Sequence, residues 1–347
     1  MLVLDDLILE DLSIIHSGLK EEIFAGKKVL VTGGAGFIGS WLCDVWVRLG
    51  AEVTAVDDLS TGRTENIDHL TKNQKFKLIK LNVSRFQSNE KFDFILHMAS
   101  HASPEEYQSH PIETLETSSF GSAKMAELAR KNDATLLFAS TSEVYGDAEI
   151  VPTPESYWGK VNPIGLRSCY DEGKRFAEAL FMAYHRQYGL DVKIPRIFNS
   201  YGPRLREGGF YGRAMSRFIM QALADKPITI YGDGRQTRSF CYVTDTVTGL
   251  VLLTDCAKAN GEPVNIGNVQ EVTILELAEK IKKITNCKSS LVFQPLPNDD
   301  PKRRCPKITK LEKLVGWKPQ VEFEKGLKRT IAWFSLRKKL SQATQVT

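Results

Sequence analysis

Between residues 27 and 200 the apolar positions form short continuous runs, separated by longer segments of helical pattern. The predicted helices are longest near 113–131 and 170–188. The continuous runs, which predict buried strands, are 28–31, 52–56, 77–81, 92–96, 135–139 and 192–198. Strands that alternate with helices and have β-branched, apolar cores predict a parallel sheet with helices on both faces. The predicted fold class is therefore α/β, with a doubly wound parallel sheet.

The pattern changes on both sides of this region. Residues 1–26 are acidic and rich in leucine, which predicts a short helix packed on the outside of the fold. After residue 200 the loops lengthen and carry many Gly, Arg and Tyr residues. The elements predicted there are helices near 213–224, 244–256, 273–285 and 323–340, with short strands such as 228–231 and 264–266. The predicted parts are a helical lead-in over 1–26, a cofactor-binding domain over 27–200, and over 201–347 mainly a substrate lobe, with some segments returning to the first domain.

One residue does not suit its predicted strand. Pro195 lies within the run 192–198, which the pattern would place centrally in the sheet. Because proline has no backbone N–H, it removes one hydrogen bond from the ladder of a central strand. We therefore predict that Pro195 lies either at an edge of the sheet or at a bulge.

Composition and charge exclude several classes of protein. The 347 residues are 42% hydrophobic and 25% charged, which is typical of a globular protein with one large core or two fused cores. The net charge is only +4 and the basic residues are scattered, apart from 302–304 and 337–339, so we expect no nucleic-acid partner. A few cationic side chains directed at phosphates explain this small excess equally well. No apolar run approaches membrane-spanning length, and the N-terminus is acidic where a signal peptide is basic, so we expect no membrane association.

The six cysteines, at positions 43, 169, 241, 256, 287 and 305, include no Cys-x-x-Cys pair. Neither a zinc site nor a disulfide framework is indicated, and we expect a reduced, cytoplasmic protein. His97 and His101 are four residues apart, but they lie at a strand end and in the loop after it. A structural histidine is favoured over a ligand there, and we predict no metal site.

The stretch Thr32–Ser40 is the first candidate for chemistry. Gly33, Gly36 and Gly39 are spaced three apart, directly after a strand and at the start of a helix. Glycines let the backbone turn tightly and approach a pyrophosphate, whose charge is favoured at a helix N-terminus. Asp57, at the end of the second strand, would accept hydrogen bonds from an adenosine ribose and repel a 2′-phosphate, so NAD is favoured over NADP. The alternatives are a tight turn without a ligand, or NADP binding with the help of Arg63.

A second candidate combines the stretches Ser140–Tyr145 and Tyr170–Lys174. The first places hydroxyls and a carboxylate at the end of a predicted strand, where ligands bind in parallel sheets. In the second, Tyr170 and Lys174 are four residues apart and share one face of a helix. A nearby cation favours the phenolate, which can take a proton from a substrate hydroxyl. We predict that Tyr170 takes this proton, that Lys174 lowers its pKa and holds the nicotinamide ribose, and that Thr141 binds the reacting oxygen.

These motifs resemble those of the extended short-chain dehydrogenase/reductases, the NAD-dependent epimerase/dehydratase family, whose members act on nucleotide sugars. The resemblance runs from about Lys27 to about Trp333, and it also rests on the runs Arg196–Arg204 and Tyr231–Arg238. It implies bound NAD, a nucleotide-sugar substrate, and homodimers formed through the helices near 113–131 and 170–188. The positions implied for NAD are Gly33, Gly36, Phe37, Ile38, Gly39, Asp57, Asp58, Thr61, Gly62, Asn82, Val83, Met98, Ala99, Ser100, Thr117, Ser140, Tyr170 and Lys174.

Within this family, the closest resemblance is to the UDP-glucuronate decarboxylases, also called UDP-xylose synthases. The stretches that carry it are Ala139–Gly146, Tyr157–Gly165, Cys169–Arg175, and Ala102–Pro104 with Tyr107. The similar 4,6-dehydratases place an Asp-Glu pair after the threonine, where the Asp acts as the acid for water loss. This chain has Ser142 at that position, followed by Glu143. The similar 4-epimerases usually lack the carboxylate of Glu143.

The resemblance implies a decarboxylation with no net redox change. Oxidation at C4 of UDP-glucuronate makes a ketone β to the C6 carboxylate, so carbon dioxide can leave while its electrons delocalise onto O4. Protonation at C5 and return of the hydride then give UDP-xylose. The resemblance implies that Ser142 and Glu143 lie near the carboxylate and C5, where Glu143 assists ring positioning or proton delivery. It also implies that Arg304 meets the carboxylate, for which an arginine fork is suited; the alternative for Arg304 is a solvated charge run.

Together these arguments give two sets of site residues. The predicted catalytic residues are Thr141, Ser142, Glu143, Tyr170, Lys174 and Arg304. The positions that the resemblance implies for the UDP-sugar are Tyr107, Asn199, Arg204, Arg213, Tyr231, Gln236, Arg238 and Arg304. Other arginines of the lobe, such as Arg206 and Arg217, are predicted to be surface residues. Two other functions stay open: a nucleotide-sugar 4-epimerase or 4,6-dehydratase of the same superfamily, and a non-catalytic NAD-binding regulator.

Overall fold

A parallel sheet forms the centre of the protein in the computed structural model, which describes residues 4–207, 213–297 and 299–344. The strands are β1 (Lys28–Thr32), β2 (Glu52–Asp57), β3 (Phe76–Lys80), β4 (Phe94–His97), β5 (Thr135–Phe138), β6 (Ser140–Thr141), β7 (Val192–Ile197), β8 (Ser200–Tyr201), β9 (Ile228–Tyr231), β10 (Thr237–Ser239), β11 (Cys241–Tyr242), β12 (Glu262–Ile266), β13 (Glu271–Thr273), β14 (Leu291–Gln294) and β15 (Arg303–Arg304). Seven of them pair in the order β12-β7-β5-β4-β1-β2-β3, and every neighbouring pair is parallel. The six strands predicted from continuous apolar runs are all present, within two residues of their predicted ends.

Helices cover both faces of this sheet. They are α1 (Leu4–Ser17), α2 (Phe37–Arg48), α3 (Pro104–Ser109), α4 (Pro111–Glu116), α5 (Ser122–Asn132), α6 (Ser168–Tyr188), α7 (Ala214–Leu223), α8 (Val243–Thr254), α9 (Ile274–Thr285), α10 (Thr309–Val315) and α11 (Phe323–Thr344). On one face, Met125 of α5 and Phe181 of α6 share a core with Leu30 and Ile95 of the sheet. On the other face, α2 and α8 pack on the strands within a larger core. The predicted doubly wound α/β fold is confirmed.

Pro195 lies inside the sheet, so its predicted edge position is wrong. Strand β7 runs between β5 and β12, and Pro195 is in register with Val264 of β12. On the opposite side, the pairing of β7 with β5 includes Lys193, and pairing resumes with β6 at Arg196. Pro195 therefore falls at the break between β5 and β6, where the missing N–H interrupts no ladder. The alternative that we predicted, a bulge, is not observed either, because both strands advance by three residues between the Leu137–Lys193 and Ser140–Arg196 pairs.

The predicted N-terminal helix is present as α1, which has one exposed face and one face packed on the main core. Its Leu7 and Leu12 are buried, and the helix packs against α2, α8 and α11. Asp11 is completely buried; it accepts a hydrogen bond from the Tyr242 hydroxyl at 2.6 Å and pairs with Arg329 at 2.9 Å. The acidic composition did not reveal that one of these acidic residues is buried, where a cation and a hydroxyl compensate it.

The smaller lobe is built from three small sheets and the helices around them. Strand β10 pairs with β13 and β15, β9 pairs with β14, and β8 pairs with β11. Helices α7, α9 and α11 pack against one another. Strand β12 pairs at the edge of the main sheet, and α8 packs on the face of that sheet. Within the residues that the structure describes, no helix is long and apolar enough to cross a membrane.

Candidate active site

The glycine turn after β1 is packed too closely for larger residues. Gly33 has a φ of +67°, and its N–H donates to Val56 O at 2.7 Å. A Cβ on Gly33 would lie 2.8 Å from Ala99 Cα, and one on Gly39 would overlap the carbonyl oxygen of Gly33. Helix α2 begins at Phe37, and its N-terminus has no side-chain cap. The N–H groups at the start of α2 follow a glycine-rich turn and are not capped by a side chain, so they can bind a pyrophosphate.

Asp57 ends β2 beside this turn. Its Oδ2 accepts a hydrogen bond from the Ala35 N–H at 2.9 Å, and its Oδ1 accepts one from the Leu59 N–H at 2.8 Å. Burial raises the pKa of the Asp57 carboxyl in spite of these bonds. A Cβ on Gly62 would lie 2.6 Å from Oδ1, so the loop after β2 closes directly over the carboxylate. The Asp57 carboxylate therefore fits the diol of an adenosine ribose, and the turn and Asp57 together fit NAD.

The other predicted cofactor positions surround the turn at the carboxyl ends of the strands. Beyond β3, the Asn82 amide donates to Asp58 at 2.8 Å. Beyond β4, the N–H groups of Met98 and Ala99 donate to the hydroxyl at the end of β1 at 3.1 and 3.2 Å. Thr117 begins a π-helical turn that packs against α6. The same edge of the sheet carries Phe37, Ile38, Thr61, Val83, Ser100 and Ser140.

Helix α6 brings Tyr170 and Lys174 to the ends of β5 and β6. The Tyr170 hydroxyl is hydrogen-bonded to the Thr141 side chain. Its ring stacks on Tyr107, with the two ring centroids 5.1 Å apart. Lys174 Nζ donates to Ala139 O at 2.8 Å and lies 5.8 Å from the Tyr170 ring centroid. The structure therefore brings together the three residues predicted to act on the substrate hydroxyl.

The electrostatics of this pair differ from the prediction. Burial raises the pKa of Tyr170 to about 12, although the hydrogen bond with Thr141 acts in the opposite direction. Burial also lowers the pKa of Lys174 to about 7, so its ammonium is only partly charged at neutral pH. The expected lowering of the phenol pKa by Lys174 is wrong for the protein alone. Desolvation acts on both groups, and Lys174 is hydrogen-bonded to Ala139 rather than to the phenol.

Glu143 is held between two arginines. Arg304 of β15 binds both of its oxygens, with Nη1 donating to Oε1 and Nη2 donating to Oε2 at 2.7 Å. Arg167, which precedes α6, donates from Nη2 to Oε2 at 2.6 Å. Burial raises the pKa of Glu143, but the two arginines outweigh it and hold the pKa at about 2. In the protein alone Glu143 therefore has no proton to deliver, which favours ring positioning among its two implied roles.

Arg304 is not part of a solvated charge run, since only 8% of its side chain is exposed. The ion pairs continue from Glu143 through a residue that the sequence reasoning missed. Arg167 Nη1 lies 3.9 Å from Asp300 Oδ1, and Asp300 accepts a hydrogen bond from Arg238 Nη2 at 2.9 Å. We call Arg304–Glu143–Arg167–Asp300–Arg238 the charge chain. The signal that could have revealed Arg167 is its position three residues before Tyr170, one helical turn away.

Several predicted substrate positions lie in the smaller lobe and contact one another. The Gln236 amide donates to Tyr231 O at 2.8 Å, and the Arg217 guanidinium lies 4.7 Å from the centroid of the Tyr231 ring. Arg217 is buried, so its predicted place on the surface is wrong. Asn199 donates to a backbone carbonyl of β10 at 3.3 Å, and Arg213 donates to the carbonyl of Ala102, in the other lobe, at 3.1 Å.

Arg204 lies apart from these residues. Its Nη1 pairs with Asp44 Oδ2 at 2.6 Å, and its guanidinium lies 4.8 Å from the centroid of the Trp41 ring in α2. The structure therefore engages Arg204 with the cofactor domain. Arg206 is exposed and pairs with Glu106, as expected for a surface residue.

The two histidines have separate surroundings. His97 is hydrogen-bonded to Thr32 at 2.8 Å and to Ser122 at 3.2 Å, and burial lowers its pKa to about 3. It is a neutral core residue, as predicted. His101 lies 3.3 Å from the hydroxyl of Thr114. Among the residues that the structure describes, no three His, Cys, Asp or Glu side chains form a group that could hold a metal ion.

Comparisons with known proteins agree with this arrangement. The family model described as GDP-mannose 4,6 dehydratase matches residues 30–330. UDP-glucuronic acid decarboxylase 1 of Danio rerio is 48% identical over 309 residues, which cover 89% of this chain and 73% of that protein. The chain belongs to the UDP-glucuronic acid decarboxylase family. The resemblance that its motifs predicted, from about Lys27 to about Trp333, is confirmed.

Solved structures similar to this member of the family share its fold. A UDP-glucose 4-epimerase from Thermotoga maritima, solved with UDP-glucose, has a TM-score of 0.82 and 30% identity, and the match covers 90% of this chain and 99% of that one. A dTDP-glucose 4,6-dehydratase from Streptomyces venezuelae, solved with NAD, has a TM-score of 0.81 and 26% identity, covering 91% and 98%. The two solved enzymes belong to the two classes that the sequence left open as alternatives.

Proposed function

We propose that the protein decarboxylates UDP-glucuronate to UDP-xylose with the help of bound NAD. The observation that carries this proposal is the buried fork of Arg304, which lies on Glu143 close to Tyr170 and Thr141. A guanidinium at the reacting end of the site suits a sugar that bears a carboxylate. The name of the Danio rerio relative supports the same substrate and reaction.

The residues that would hold NAD are the glycines of the turn for the pyrophosphate, Asp57 for the adenosine ribose, and Lys174 for the nicotinamide ribose. When bound, NAD supplies the acceptor for the C4 hydride and gives the hydride back at the end. The negative charge of Asp57 favours NAD over NADP, because a 2′-phosphate would meet it.

The side chains supply the proton transfers and hold the charge that develops. Tyr170 takes the proton of the C4 hydroxyl as C4 is oxidised, and Thr141 is hydrogen-bonded to the same phenol. When carbon dioxide leaves, the electron pair of the C5–C6 bond delocalises onto O4, where hydroxyl donors stabilise the enolate. C5 then takes up a proton that comes ultimately from solvent, the single proton that the overall reaction consumes. When C4 is reduced again, Tyr170 would return its proton to O4, which gives UDP-xylose.

The deciding experiment is incubation with UDP-glucuronate and NAD, followed by mass spectrometry of the sugar nucleotide. We expect a loss of the mass of carbon dioxide. Tyr170→Phe and Glu143→Ala should both abolish turnover, because one removes the proton acceptor and the other removes the carboxylate that would position the sugar ring. Arg303→Gln is a matched control, since Arg303 is the exposed neighbour of Arg304 and pairs with Glu271. A sugar nucleotide of unchanged mass would exclude decarboxylation.

The second candidate function is a nucleotide-sugar 4-epimerase, which the Thermotoga maritima structure favours by its fold and identity. The same assay separates the two reactions, since an epimer keeps its mass and only its chromatographic position changes. A 4,6-dehydratase would release water instead. The serine at position 142 argues against it, because a hydroxyl is a weaker acid than the carboxyl that water loss requires.

The surface of α4 and α6 supports a homodimer. Ile112, Phe120 and Phe176 are 68%, 62% and 51% exposed on α4, the π-helical turn and α6. Burying these side chains against a second copy removes apolar surface from water. Phe176→Glu should therefore give a monomer in light-scattering measurements, whereas Phe293→Glu, at a similarly exposed phenylalanine of β14, should not. A dimer that survives Phe176→Glu would contradict this interface.

A cytoplasmic location is proposed from the cysteines. All six are free, and four of them are buried. Unpaired thiols are typical of a reducing compartment. Fractionation of cells that express the chain, with detection of the protein in the cytosolic fraction, tests this proposal.

A further inference from the structure

Glu143 has more cationic partners than one carboxylate needs. Arg304 occupies both of its oxygens, and Arg167 donates to Oε2 as well. The three side chains are 14%, 8% and 11% exposed, in the order Glu143, Arg304 and Arg167. A buried carboxylate can therefore lose one arginine and keep the other.

The two arginines are not equally fixed. Arg167 also lies 4.0 Å from Asp171, 3.9 Å from Asp300 and 5.9 Å from the centroid of the Tyr107 ring. Among the residues that the structure describes, Arg304 forms ion pairs with Glu143 alone. The Arg167 guanidinium is therefore held in place by several neighbours, whereas the Arg304 guanidinium is held by the Glu143 side chain.

The charges around Glu143 leave room for one further anion. The charge chain contains three arginines and the two carboxylates of Glu143 and Asp300. Burial and the neighbouring Glu143 carboxylate raise the pKa of Asp171, so this carboxyl opposes a further anion less than a free aspartate would. Its Oδ1 is buried without a hydrogen-bond partner. One positive charge is thus uncompensated, and a substrate carboxylate would balance it.

We propose that the carboxylate of the substrate displaces Glu143 from Arg304, and that Arg167 is a positioning residue that keeps hold of Glu143 during this exchange. The proposal rests on the proposed substrate, UDP-glucuronate. The incoming group and the departing group are both carboxylates, so Arg304 exchanges one bidentate partner for another. A UDP-sugar without a carboxylate has nothing to exchange and leaves the Arg304–Glu143 pair intact. The pair is therefore a specificity device as well as a resting contact.

The exchange makes Glu143 a competitor of the substrate, which affinity measurements can detect. NAD-loaded protein carrying Tyr170→Phe, which prevents turnover, is titrated with UDP-glucuronate and with UDP-glucose. Adding Glu143→Gln should increase the affinity for UDP-glucuronate by about tenfold, because the neutral amide no longer competes for Arg304. The affinity for UDP-glucose should stay the same. Adding Arg167→Gln should lower the affinity for UDP-glucuronate by about tenfold. Glu143 then has only Arg304 as an arginine partner, so it competes more strongly with the substrate carboxylate.

A double-mutant cycle separates positioning from structural damage. Once Glu143→Gln is present, Arg167→Gln should not change the affinity for UDP-glucuronate any further. In the protein that retains Glu143, Arg167→Lys should restore part of the affinity that Arg167→Gln loses. Arg303→Gln should change neither ligand. The proposal is overturned if Glu143→Gln lowers the affinity for UDP-glucuronate, or if Arg167→Gln lowers the affinity for both ligands equally. It is also overturned if Arg167→Gln still lowers the affinity for UDP-glucuronate when Glu143→Gln is present. Failure of the proposed function appears separately, as an unchanged mass of UDP-glucuronate with the wild-type protein.

Discussion

Replacing Lys174 with methionine should make the protein more stable while abolishing its turnover. Lys174 is 3% exposed, and within the described part of the chain its one hydrogen bond goes to Ala139 O at 2.8 Å. The nearest aromatic ring, that of Phe138, has its centroid 4.8 Å from Nζ. A buried ammonium with so little compensation is unfavourable, and methionine has a similar length without the charge.

The size of the gain follows from the pKa of Lys174. Folding lowers this pKa from 10.5 to about 7, so between these values the folded protein binds fewer protons than the unfolded chain. Stability therefore rises with pH across this window, and at pH 7 the lysine costs about 4 kcal/mol relative to a neutral side chain. Loss of the hydrogen bond to Ala139 O reduces this gain in stability by about 1 kcal/mol. The net gain for Lys174→Met is about 3 kcal/mol at pH 7 and close to zero at about pH 9.5.

Urea unfolding of the NAD-free wild-type and Lys174→Met proteins at these two pH values measures the gain in the free energy of unfolding. The mass assay measures the loss of turnover. Lys193→Met is a matched control, because Lys193 is 1% exposed but pairs with Asp191 at 2.5 Å. Removing that paired lysine should not stabilise the protein. The reasoning is refuted if Lys174→Met is less stable than wild type at pH 7, or if the difference between the two does not change with pH.

Three further predictions concern the cofactor domain and the N-terminal helix. Gly33→Ala should abolish NAD binding in a fluorescence titration, since a Cβ there meets backbone, whereas Gly316→Ala, also at positive φ but with nothing within 4 Å, should not. Asp57→Asn should weaken NAD and reduce its advantage over NADP in a competition assay; an unchanged preference would contradict the role of the charge. Asp11→Ala should lower the free energy of unfolding by about 3 kcal/mol in urea, because Arg329 loses its buried partner; a loss below about 1 kcal/mol would contradict this.

The elements and the cofactor turn were predictable because their signals are local. Continuous apolar runs mark strands covered on both faces, and the spacing of Gly33, Gly36 and Gly39 reports on one turn. The partners of Glu143 were not predictable in the same way, since Arg304 lies 161 residues away along the chain. Arg217 illustrates the same limit. Its burial depends on Tyr231 and the shape of the lobe, and neither is visible in the residues next to it.

The pKa values of Tyr170 and Lys174 show a second kind of limit. Residue identity and helical spacing predicted correctly that the two side chains share a site. The direction of each pKa shift depends on how much water the fold excludes, which the sequence does not display. Burial therefore raises the pKa of the phenol, whereas the neighbouring cation was expected to lower it.

The burial of Asp11 has a consequence for the order in which the chain can fold during synthesis. Tyr242, which donates to Asp11, lies 231 residues further along the chain, and Arg329, which donates to Glu10, lies 319 residues beyond that residue. Helix α1 leaves the ribosome before α11, yet its binding surface is complete only when α11 has been made. The apolar face of α1 must therefore stay exposed to water, or bound to a chaperone, until α11 has been synthesised, so the docking of α1 follows the synthesis of α11.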